Sequence, residues 1–497
     1  MAAGLAAVLA GGTAVASAVP SADNTARGTT FAAAAEPQLK LVTASKSVIL
    51  DRYDDGVYVD LGTHMVAGAK PFELRVKRKS FKDPVVVEQI VDGKVKALPA
   101  GLTNNYSGLP GFSRLTITDA KGKKLVDRSQ AFCPNNYESA RTRPDAPDKS
   151  PYPKDCSQNG FTVSSVWGIQ SGWTAPTGET GTQIKLWMGK YTAKVEIAPK
   201  YRALFGIPAN QASTTINVTV RKAPESGHDR VGQRVAAEDK ARKAAEPQPK
   251  PNAKAPTGKD SVPAGPKPDL VALPAWGARI SKGDEGTPTA NNDFLQFAAT
   301  VYNGGPSTLV LDGYRRQGQD LMDAYQYFYN EKGQQVGHAK TGTMEWDARD
   351  GHTHWHFTDF ASYRLLKANQ TEIVRSQKEA FCLAATDQID QLAKNANWHP
   401  MNTDLHTACG SYSSLAVREV LDVGAGDTYD QTRPGQSFDI TNLPNGTYFI
   451  QVLANPEKRL YESNTTNNMA LRKVILGGVK GARTVQVPAH DLVNWNG

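Results

Sequence analysis

The stretch Thr215-Ile216-Asn217-Val218-Thr219-Val220 alternates polar and apolar residues. Successive side chains of a strand point to opposite faces, so this alternation predicts a strand with one face buried. Residues 194–197 and 297–302 are also strand-like, and turn residues such as those at 444–446 separate such runs. Helical periodicity is scarce, and its best candidate is residues 389–394. The sequence therefore predicts an all-β protein built from antiparallel β-sandwiches.

A change in composition divides the chain into two halves. Residues 223–268 are rich in Pro, Ala and Lys and contain no Leu, Ile or aromatic residue. Such a segment cannot bury enough apolar surface to offset the entropy lost on ordering, which predicts a disordered linker. The sequence thus predicts one β-sandwich domain at 37–222, a second at 269–480, and a C-terminal tail at 481–497.

Composition excludes several classes of protein. The 497 residues are 39% hydrophobic and 21% charged, which is typical of a globular protein rather than a membrane-embedded or wholly disordered one. The 57 Lys and Arg against 49 Asp and Glu give a net charge of +8, without a basic cluster that interleaves aromatic residues. We therefore expect no nucleic-acid partner. No segment after the N-terminus has about 20 continuous apolar residues, so we also expect no membrane span.

The first residues predict export. Residues 1–22 carry no charge and are rich in Ala, Gly, Leu and Val, although the usual positive start is absent. Ala16-Ser17-Ala18 has the small-x-small form of a signal-peptidase site. We interpret residues 1–36 as a signal peptide followed by a disordered N-terminus, and expect a secreted protein.

The four cysteines fit an exported protein. Cys133 and Cys156 lie in the first half, and Cys382 and Cys409 lie in the second. Four cysteines allow three connectivities, of which we predict the two local disulfides, Cys133 to Cys156 and Cys382 to Cys409. Neither pair has the CxxC spacing of a thiolate zinc site.

The two halves resemble each other in sequence. Arg-Ser-Gln-Ala-Phe-Cys at 128–133 recurs at 375–382, where Lys378 and Glu379 are inserted after the glutamine. Residues 189–202 and 446–459 share Gly, Tyr, Val, Pro and Arg at the same mutual spacing. We interpret the halves as copies of one duplicated domain, although ordinary strand and turn composition is the alternative.

Three of the nine histidines alternate along one short segment, at His352, His354 and His356. On a strand these imidazoles share a face, and a twist or bulge would let all three bind one metal ion. Three imidazoles without a thiolate suit Cu(II) or Zn(II), and the spacing does not choose between them. Further candidate ligands, and carboxylates that could orient the rings, are His338, His399, His406, Asp347, Asp350 and Asp359.

The histidine segment and its flanks resemble the copper-binding segment of the lysyl oxidases. Later segments resemble, in the same order, the family's regions for the cofactor lysine, the cofactor tyrosine and the closing strand. The likeness covers roughly residues 269–478. The segments that carry it are residues 345–346, 352–357, 360–366, 378–383, 427–429, 438–441 and 462–468.

This resemblance implies copper(II) at His352, His354 and His356, and a lysine tyrosylquinone made from Lys378 and Tyr429. It implies a secreted amine oxidase that uses O₂ to convert primary amines, such as lysine in peptides or proteins, to aldehydes. Hydrogen peroxide and ammonia would be released. The catalytic base stays open among Asp347, Asp350 and Asp427. The net positive charge of the chain would not attract a positively charged amine substrate. We therefore expect an acidic cleft formed by Asp347, Asp350 and Asp359.

The first half lacks these chemical groups. No histidine triplet precedes its cysteine block, the Lys-Glu pair is absent, and counting back from Gly189 puts Gly172 at the tyrosine position. We therefore expect residues 37–222 to be a non-catalytic sister domain. Two alternatives stay open for the whole chain: a secreted metal-binding or adhesive β-sandwich protein that forms no quinone, and purely structural β-sandwich domains that bind no metal tightly.

Overall fold

The computed structural model describes most of the chain beyond the N-terminus. The predicted signal peptide and disordered N-terminus, residues 1–36, lie outside the described residues, as does most of the predicted linker, residues 225–246. The described residues are 37–53, 56–178, 183–224, 247–284, 287–288, 292–349, 353–376, 378, 380–399 and 403–497.

The all-β prediction is confirmed, since strands dominate both halves. The first half contains β1 (Leu39–Thr43), β2 (Ser47–Tyr53), β3 (Gly56–Tyr58), β4 (Thr63–Ala67), β5 (Phe72–Lys77), β6 (Val86–Val91), β7 (Lys94–Ala97), β8 (Leu109–Asp119), β9 (Lys124–Phe132), β10 (Ser164–Ile169), β11 (Thr174–Pro176), β12 (Gln183–Ile184), β13 (Gly189–Ile197) and β14 (Ser213–Lys222). A short helix α1 (Pro199–Phe205) and a 3₁₀ turn (Ala209–Gln211) lie between β13 and β14.

The regular elements described in the second half are all strands. They are β15 (Leu270–Ala272), β16 (Trp276–Ser281), β17 (Gly283–Asp284), β18 (Thr287–Pro288), β19 (Phe294–Asn303), β20 (Leu309–Arg315), β21 (Leu321–Tyr329), β22 (Gln335–Asp347), β23 (His354–Thr358), β24 (Ala361–Lys367), β25 (Glu372–Arg375), β26 (Ala380–Phe381), β27 (Asp387–Gln388), β28 (Ala416–Leu421), β29 (Ala425–Tyr429), β30 (Ser437–Asp439), β31 (Gly446–Ala454), β32 (Met469–Val479) and β33 (Ala482–Gln486).

Three sheets surround a main apolar core in each half, and the second half also has a two-stranded sheet of β17 and β18. The alternation that predicted a strand at 215–220 holds, because Ile216, Val218 and Val220 of β14 are buried in the first core. The core of the second half combines residues such as Leu311 of β20 and Leu365 of β24. Neighbouring strands are antiparallel except β14 and β2, which run parallel. Burial of such strand faces is the main source of stability in both halves.

The strand order of the two halves corresponds sheet by sheet. The first half has the orders β1-β4-β11, β10-β5-β6-β7 and β9-β8-β13-β14 within its sheets. The second half has β15-β19-β29, β28-β20-β21-β22 and β25-β24-β31-β32 in the equivalent places. It adds β23 and β26 at the edge of its second sheet. This shared topology supports the predicted duplication.

The strand register shows which residue of the first half is equivalent to Tyr429, and it differs from the predicted Gly172. Tyr429 pairs with Ala299 across β29 and β19. When β1-β4 is aligned on β15-β19, Ala299 corresponds to Thr63, whose carbonyl accepts a 2.9 Å hydrogen bond from the N–H of Thr177. Thr177, and not Gly172, therefore stands in the place of the tyrosine. Counting from Gly189 failed because the connection to the next strand is shorter in the first half.

The halves pack directly against each other, and residues 37–497 form one compact unit. The carbonyl of Ile389 accepts a 2.7 Å hydrogen bond from Val163 N–H. The buried Gln391 accepts hydrogen bonds from Ser165 Oγ at 3.1 Å and Val166 N–H at 2.7 Å. An apolar cluster closes the junction and includes Phe161, Leu273, Tyr302, Ile389 and Val493.

The predicted helix at 389–394 is wrong, because these residues form a turn whose side chains and backbone bind the first half. The helix α1 was not predicted from the sequence. It begins with Pro199, which suits the first helical position, and ends at Gly206 in the left-handed region with φ 64°. Tyr201 and Phe205 bury its inner face. No helix in the described part of the chain is long and apolar enough to cross a membrane.

The described part of the predicted linker, residues 247–268, contacts the second half. Asn252 donates hydrogen bonds from its N–H and Nδ2 to Asp312 Oδ2 at 2.8 and 2.9 Å. Ser261 and His338 exchange backbone hydrogen bonds of 2.7 and 3.1 Å. A segment that is disordered along its whole length would not make such contacts. Backbone and amide hydrogen bonds, rather than apolar burial, hold this polar stretch.

Both predicted disulfides are confirmed. Cys133 pairs with Cys156, and Cys382 pairs with Cys409, with Cα atoms 5.9 and 6.0 Å apart. Each bond closes a short loop next to a strand that carries the repeated Ala-Phe-Cys sequence. Closing these loops restricts the unfolded chain and so stabilises each half.

Candidate active site

The histidine strand β23 owes its orientation to alternating burial. Trp355 and Phe357 are buried in the apolar core of the second half. The intervening His354 and His356 therefore project from the other face, and their ring centroids lie 4.7 Å apart. His352 lies outside the described residues. Two of the three predicted ligands are thus brought together.

A carboxylate lies beside the buried histidine. Asp347 Oδ2 lies 3.3 Å from Nδ1 of His356, which has no exposed surface. The guanidinium of Arg349 donates to both carboxylate oxygens of Asp347, at 2.9 Å from Nε to Oδ1 and 2.5 Å from Nη2 to Oδ2. Burial alone would raise the pKa of Asp347, but the hydrogen bonds from Arg349 lower it well below its usual value. The ionised carboxylate can therefore hold the ring of His356 in one orientation.

These residues fit a metal that prefers nitrogen ligands. Burial, and then the charge of Lys378, lowers the pKa of His354, which favours the neutral imidazole that a metal binds. Two adjacent neutral imidazoles with an orienting carboxylate suit Cu(II) or Zn(II). Within the described ranges, no cluster of three or more His, Cys, Asp or Glu side chains suited to a metal ion occurs. A complete three-histidine site therefore depends on His352.

The other candidate histidines lie elsewhere. His338 is nine residues before Asp347 on β22, which is roughly 30 Å at the rise of a strand. His399 and His406 line a cavity of about 260 Å³ between the two halves, and neither His354 nor His356 lines it. Asp359 binds Arg459, at 2.8 Å, and Asp350 lies outside the described residues.

Lys378 and Tyr429 meet in the interior. The Lys378 side chain is 1% exposed, and its Nζ lies 4.5 Å from the centroid of the Tyr429 ring. The N–H of Lys378 donates to Ser376 Oγ at 3.1 Å, which fixes the backbone before β26. The ring of Phe381 packs edge-on against Tyr429 at 4.9 Å. Residues far apart in sequence thus form one contact.

Burial changes the protonation of both groups. Nζ of Lys378 makes no hydrogen bond with any residue that the structure describes. Burial, followed by the charge of Arg349, lowers the pKa of Lys378 to about 8. Burial also raises the pKa of Tyr429 well above its usual value. The pair therefore combines an amine that loses its proton readily with a neutral phenol.

The second disulfide joins the two parts of the site. The N–H of Cys382 donates to the hydroxyl oxygen of Tyr429 at 2.9 Å. The carbonyl of its partner Cys409 accepts a 3.0 Å hydrogen bond from the N–H of Trp355, between the two histidines. The bond from Cys382 to Cys409 thus ties the tyrosine to the histidine strand.

Two buried carboxyl groups complete the surroundings. Asp427 precedes Tyr429 by two residues on β29 and so shares its face of the strand. Glu419 Oε2 accepts a 3.1 Å hydrogen bond from the N–H of Leu383. Burial raises the pKa of both carboxyl groups well above their usual values. Glu419 was not identified from the sequence. The available signal was the pair of charged residues, Arg418 and Glu419, within the otherwise apolar segment 416–421.

Comparisons with known proteins point to one family for the second half. Residues 315–481 match the family model described as lysyl oxidase. Lysyl oxidase homolog 2 of Xenopus tropicalis is 31% identical over 158 residues, which are 32% of this chain and 18% of that protein. Human lysyl oxidase homologs 2 and 4 are 30% and 31% identical, again over 158 residues, which are 32% of this chain and 18% of each homolog. The chain therefore spans less than a fifth of these relatives' length.

Proposed function

The C-terminal region of this chain belongs to the lysyl oxidase family, and on that premise we propose that the protein is a secreted amine oxidase. It would use copper(II) and a lysine tyrosylquinone made from Lys378 and Tyr429. Primary amines, including lysine in peptides or proteins, would be converted to aldehydes with O₂ as the oxidant, releasing hydrogen peroxide and ammonia.

The contact between Lys378 and Tyr429 is the observation that carries this proposal. Joining the lysine to an oxidised tyrosine ring requires an unprotonated amine within reach of that ring. Nζ of Lys378 lies 4.5 Å from the ring centroid and has a pKa of about 8, so a useful fraction is unprotonated near neutral pH. A structural lysine would instead be exposed, with its usual pKa.

His352, His354 and His356 would hold the copper ion. When bound, copper(II) supplies the one-electron redox chemistry with O₂ that oxidises the phenol of Tyr429. The chain's own residues prepare this site. Asp347, fixed by Arg349, orients the ring of His356, and burial keeps His354 neutral.

Asp427 is better placed than Asp347 to act as the catalytic base. Asp347 binds Arg349 through both carboxylate oxygens, and so is a poor proton acceptor. Asp427 shares a strand face with Tyr429, and its Oδ2 is buried without a hydrogen bond from any described residue. Its raised pKa makes it a stronger base once it has lost its proton.

The expected acidic cleft has less negative charge than the sequence suggested. Asp347 is neutralised by Arg349, and Asp359 by Arg459. A substrate amine that enters in its neutral form would need no such cleft, and this form is also the nucleophile. The substrate is therefore proposed as a primary amine reacting as the free base.

Peptide mapping after copper loading in air tests the proposal. We expect a cross-linked species that joins the peptides containing Lys378 and Tyr429, and inhibition of amine-dependent O₂ uptake by a carbonyl reagent such as phenylhydrazine. Tyr429→Phe is the matched control and should give neither. Copper bound at full occupancy with both peptides intact would instead indicate the metal-binding β-sandwich protein.

The rate of cross-link formation should depend on pH. Since the pKa of Lys378 is about 8, the unprotonated fraction of its amine increases about tenfold per pH unit below that value and levels off above it. We expect the rate, followed by the visible absorbance of the quinone in stopped samples, to rise from pH 6 to about pH 8 and then reach a plateau. A rate that stays constant between pH 6 and 8 would contradict the role of the neutral amine.

Asp427→Asn should separate turnover from cofactor formation. Loss of a general base typically costs on the order of 10²- to 10⁴-fold in rate, so we expect kcat to fall by that factor. The cross-linked peptide should still form, because Lys378 and Tyr429 are unchanged. Asp439→Asn is the control, since Asp439 is the exposed residue of β30. Unchanged kcat in Asp427→Asn would exclude Asp427 as the base.

A further inference from the structure

A second cavity, of about 370 Å³, lies between the first half and the end of the described chain. Its walls are Arg78 and the loops 104–107 and 157–160 on one side, with residues 492–495 on the other. The described histidines, Lys378 and Tyr429 do not line it. The cavity is large enough for a small-molecule ligand.

Arg78 puts a buried positive charge at this cavity. The residue is only 8% exposed, and its Nη2 donates to the carbonyl of Gly160 at 2.6 Å. The guanidinium lies 4.7 Å from the ring centroid of Phe81 and 5.5 Å from that of Tyr106. Nε and Nη1 make no hydrogen bond, and no carboxylate pairs with Arg78, among the residues that the structure describes.

A buried guanidinium without an anion is energetically costly. Burial lowers the pKa of Arg78, yet arginine stays charged at any physiological pH. Such charges are normally paired, because removing a charge from water costs several kcal/mol or more. Because Nη2 is bonded to Gly160 and Nε is enclosed, Nη1 is the nitrogen of Arg78 left to donate to an anion. Its charged N–H groups thus suit the oxyanion of a ligand.

The remaining walls offer uncharged polar groups. The side-chain amides of Asn104 and Asn494 and the indole N–H of Trp495 make no hydrogen bond within the described part of the chain. The Trp495 ring packs directly on Gly160, where a Cβ atom would come within 2.4 Å of the ring. Amide groups bind hydroxyls as both donors and acceptors. The other neighbour of the Trp495 ring is Trp276, whose ring centroid lies 4.9 Å away, so Trp495 offers its indole N–H rather than a free face.

We propose that this cavity binds an acidic sugar. The carboxylate of the sugar would accept a hydrogen bond from Nη1 of Arg78, and its hydroxyls would bond with Asn104, Asn494 and the indole N–H of Trp495. The site combines residues of the first half with residues of the C-terminal tail, and it is independent of the proposed amine oxidase activity. It gives the first half a binding role of its own.

Calorimetric titration of the full chain with D-glucuronate tests the site, with D-glucose and acetate as comparison ligands. Glucuronate should bind at least about tenfold more tightly than either, since glucose lacks the charge and acetate lacks the hydroxyls. Arg78→Met should weaken glucuronate binding by about tenfold to a hundredfold, the usual range for a hydrogen bond to a charged group. The neighbouring, exposed Lys79→Met is the charge-matched control and should bind as the unmodified protein does.

Because Arg78 also contacts Gly160, its replacement could unfold the chain, and circular dichroism should accompany the titration. Asn494→Ala removes only an exposed side chain and should weaken glucuronate binding several-fold without a change in stability. Absence of glucuronate binding, or equal binding by Arg78→Met and Lys79→Met, would overturn the proposal. Acetate binding as tightly as glucuronate would also overturn it, since the cavity would then recognise only a simple anion.

Discussion

Replacing Lys378 with Met is expected to abolish amine oxidation, lowering the rate by at least about 10⁴-fold, because the enzyme would lose the cofactor that performs the chemistry. Met has nearly the shape of the lysine side chain without its charge. The side chain is 1% exposed and its amine has no hydrogen bond with the described residues, so the fold should tolerate the change. Amine-dependent O₂ uptake and thermal unfolding measure the two effects separately.

Lys394→Met is the matched control, since Lys394 lies in the same half and forms an exposed ion pair with Glu331. It should retain full activity and the cross-linked peptide. Copper binding should survive in Lys378→Met, because the histidines are unchanged. Retention of amine-dependent O₂ uptake by a well-folded Lys378→Met protein would refute the quinone assignment.

His354→Ala has the second large expected effect, which falls on metal binding. Changing a residue that only orients a ligand typically costs about 10- to 100-fold in metal affinity, so removing a ligand should cost more than about 100-fold. Copper stoichiometry after dialysis should fall from one to near zero, and no cross-linked peptide should form. His354 is half-buried, so its truncation should disturb packing less than truncation of the fully buried His356.

His338→Ala is the control for His354→Ala. His338 lies on the neighbouring strand β22, but roughly 30 Å along it from the end that pairs with His354. Its replacement should leave copper stoichiometry unchanged. If both variants kept one copper per chain, the metal would have to lie away from β23, and the proposed site would be wrong.

The comparison of the halves shows which strands of the proposed site are additions. The histidine strand β23 and the short strand β26 beside Lys378 extend one of the three corresponding sheets and have no counterpart among the described strands of the first half. Both lie at the edge of that sheet. Tyr429, by contrast, occupies a strand position that exists in both halves and holds Thr177 in the first. The first half thus has the scaffold without the reactive groups.

Much of the fold followed from local patterns. Alternation at 215–220 predicted a buried strand face, and cysteine positions within each half predicted both disulfides. Predictions that relied on counting or on weak periodicity were wrong. Gly172 was chosen by spacing, which cannot detect a shortened connection. Residues 389–394 resembled a helix, but hydrogen bonds to the first half hold them in a turn.

The sequence by itself determined the β class, the disulfide pairs and the chemical types available: alternating imidazoles, one inserted lysine and a tyrosine. Only the tertiary structure decided that Lys378 lies over the ring of Tyr429, that Arg349 fixes Asp347 beside His356, and that Arg78 is buried without an anion. The physical reason is that alternation is a property of neighbouring residues. Burial, and the pKa shifts that follow from it, depend on segments that meet only when the chain is folded.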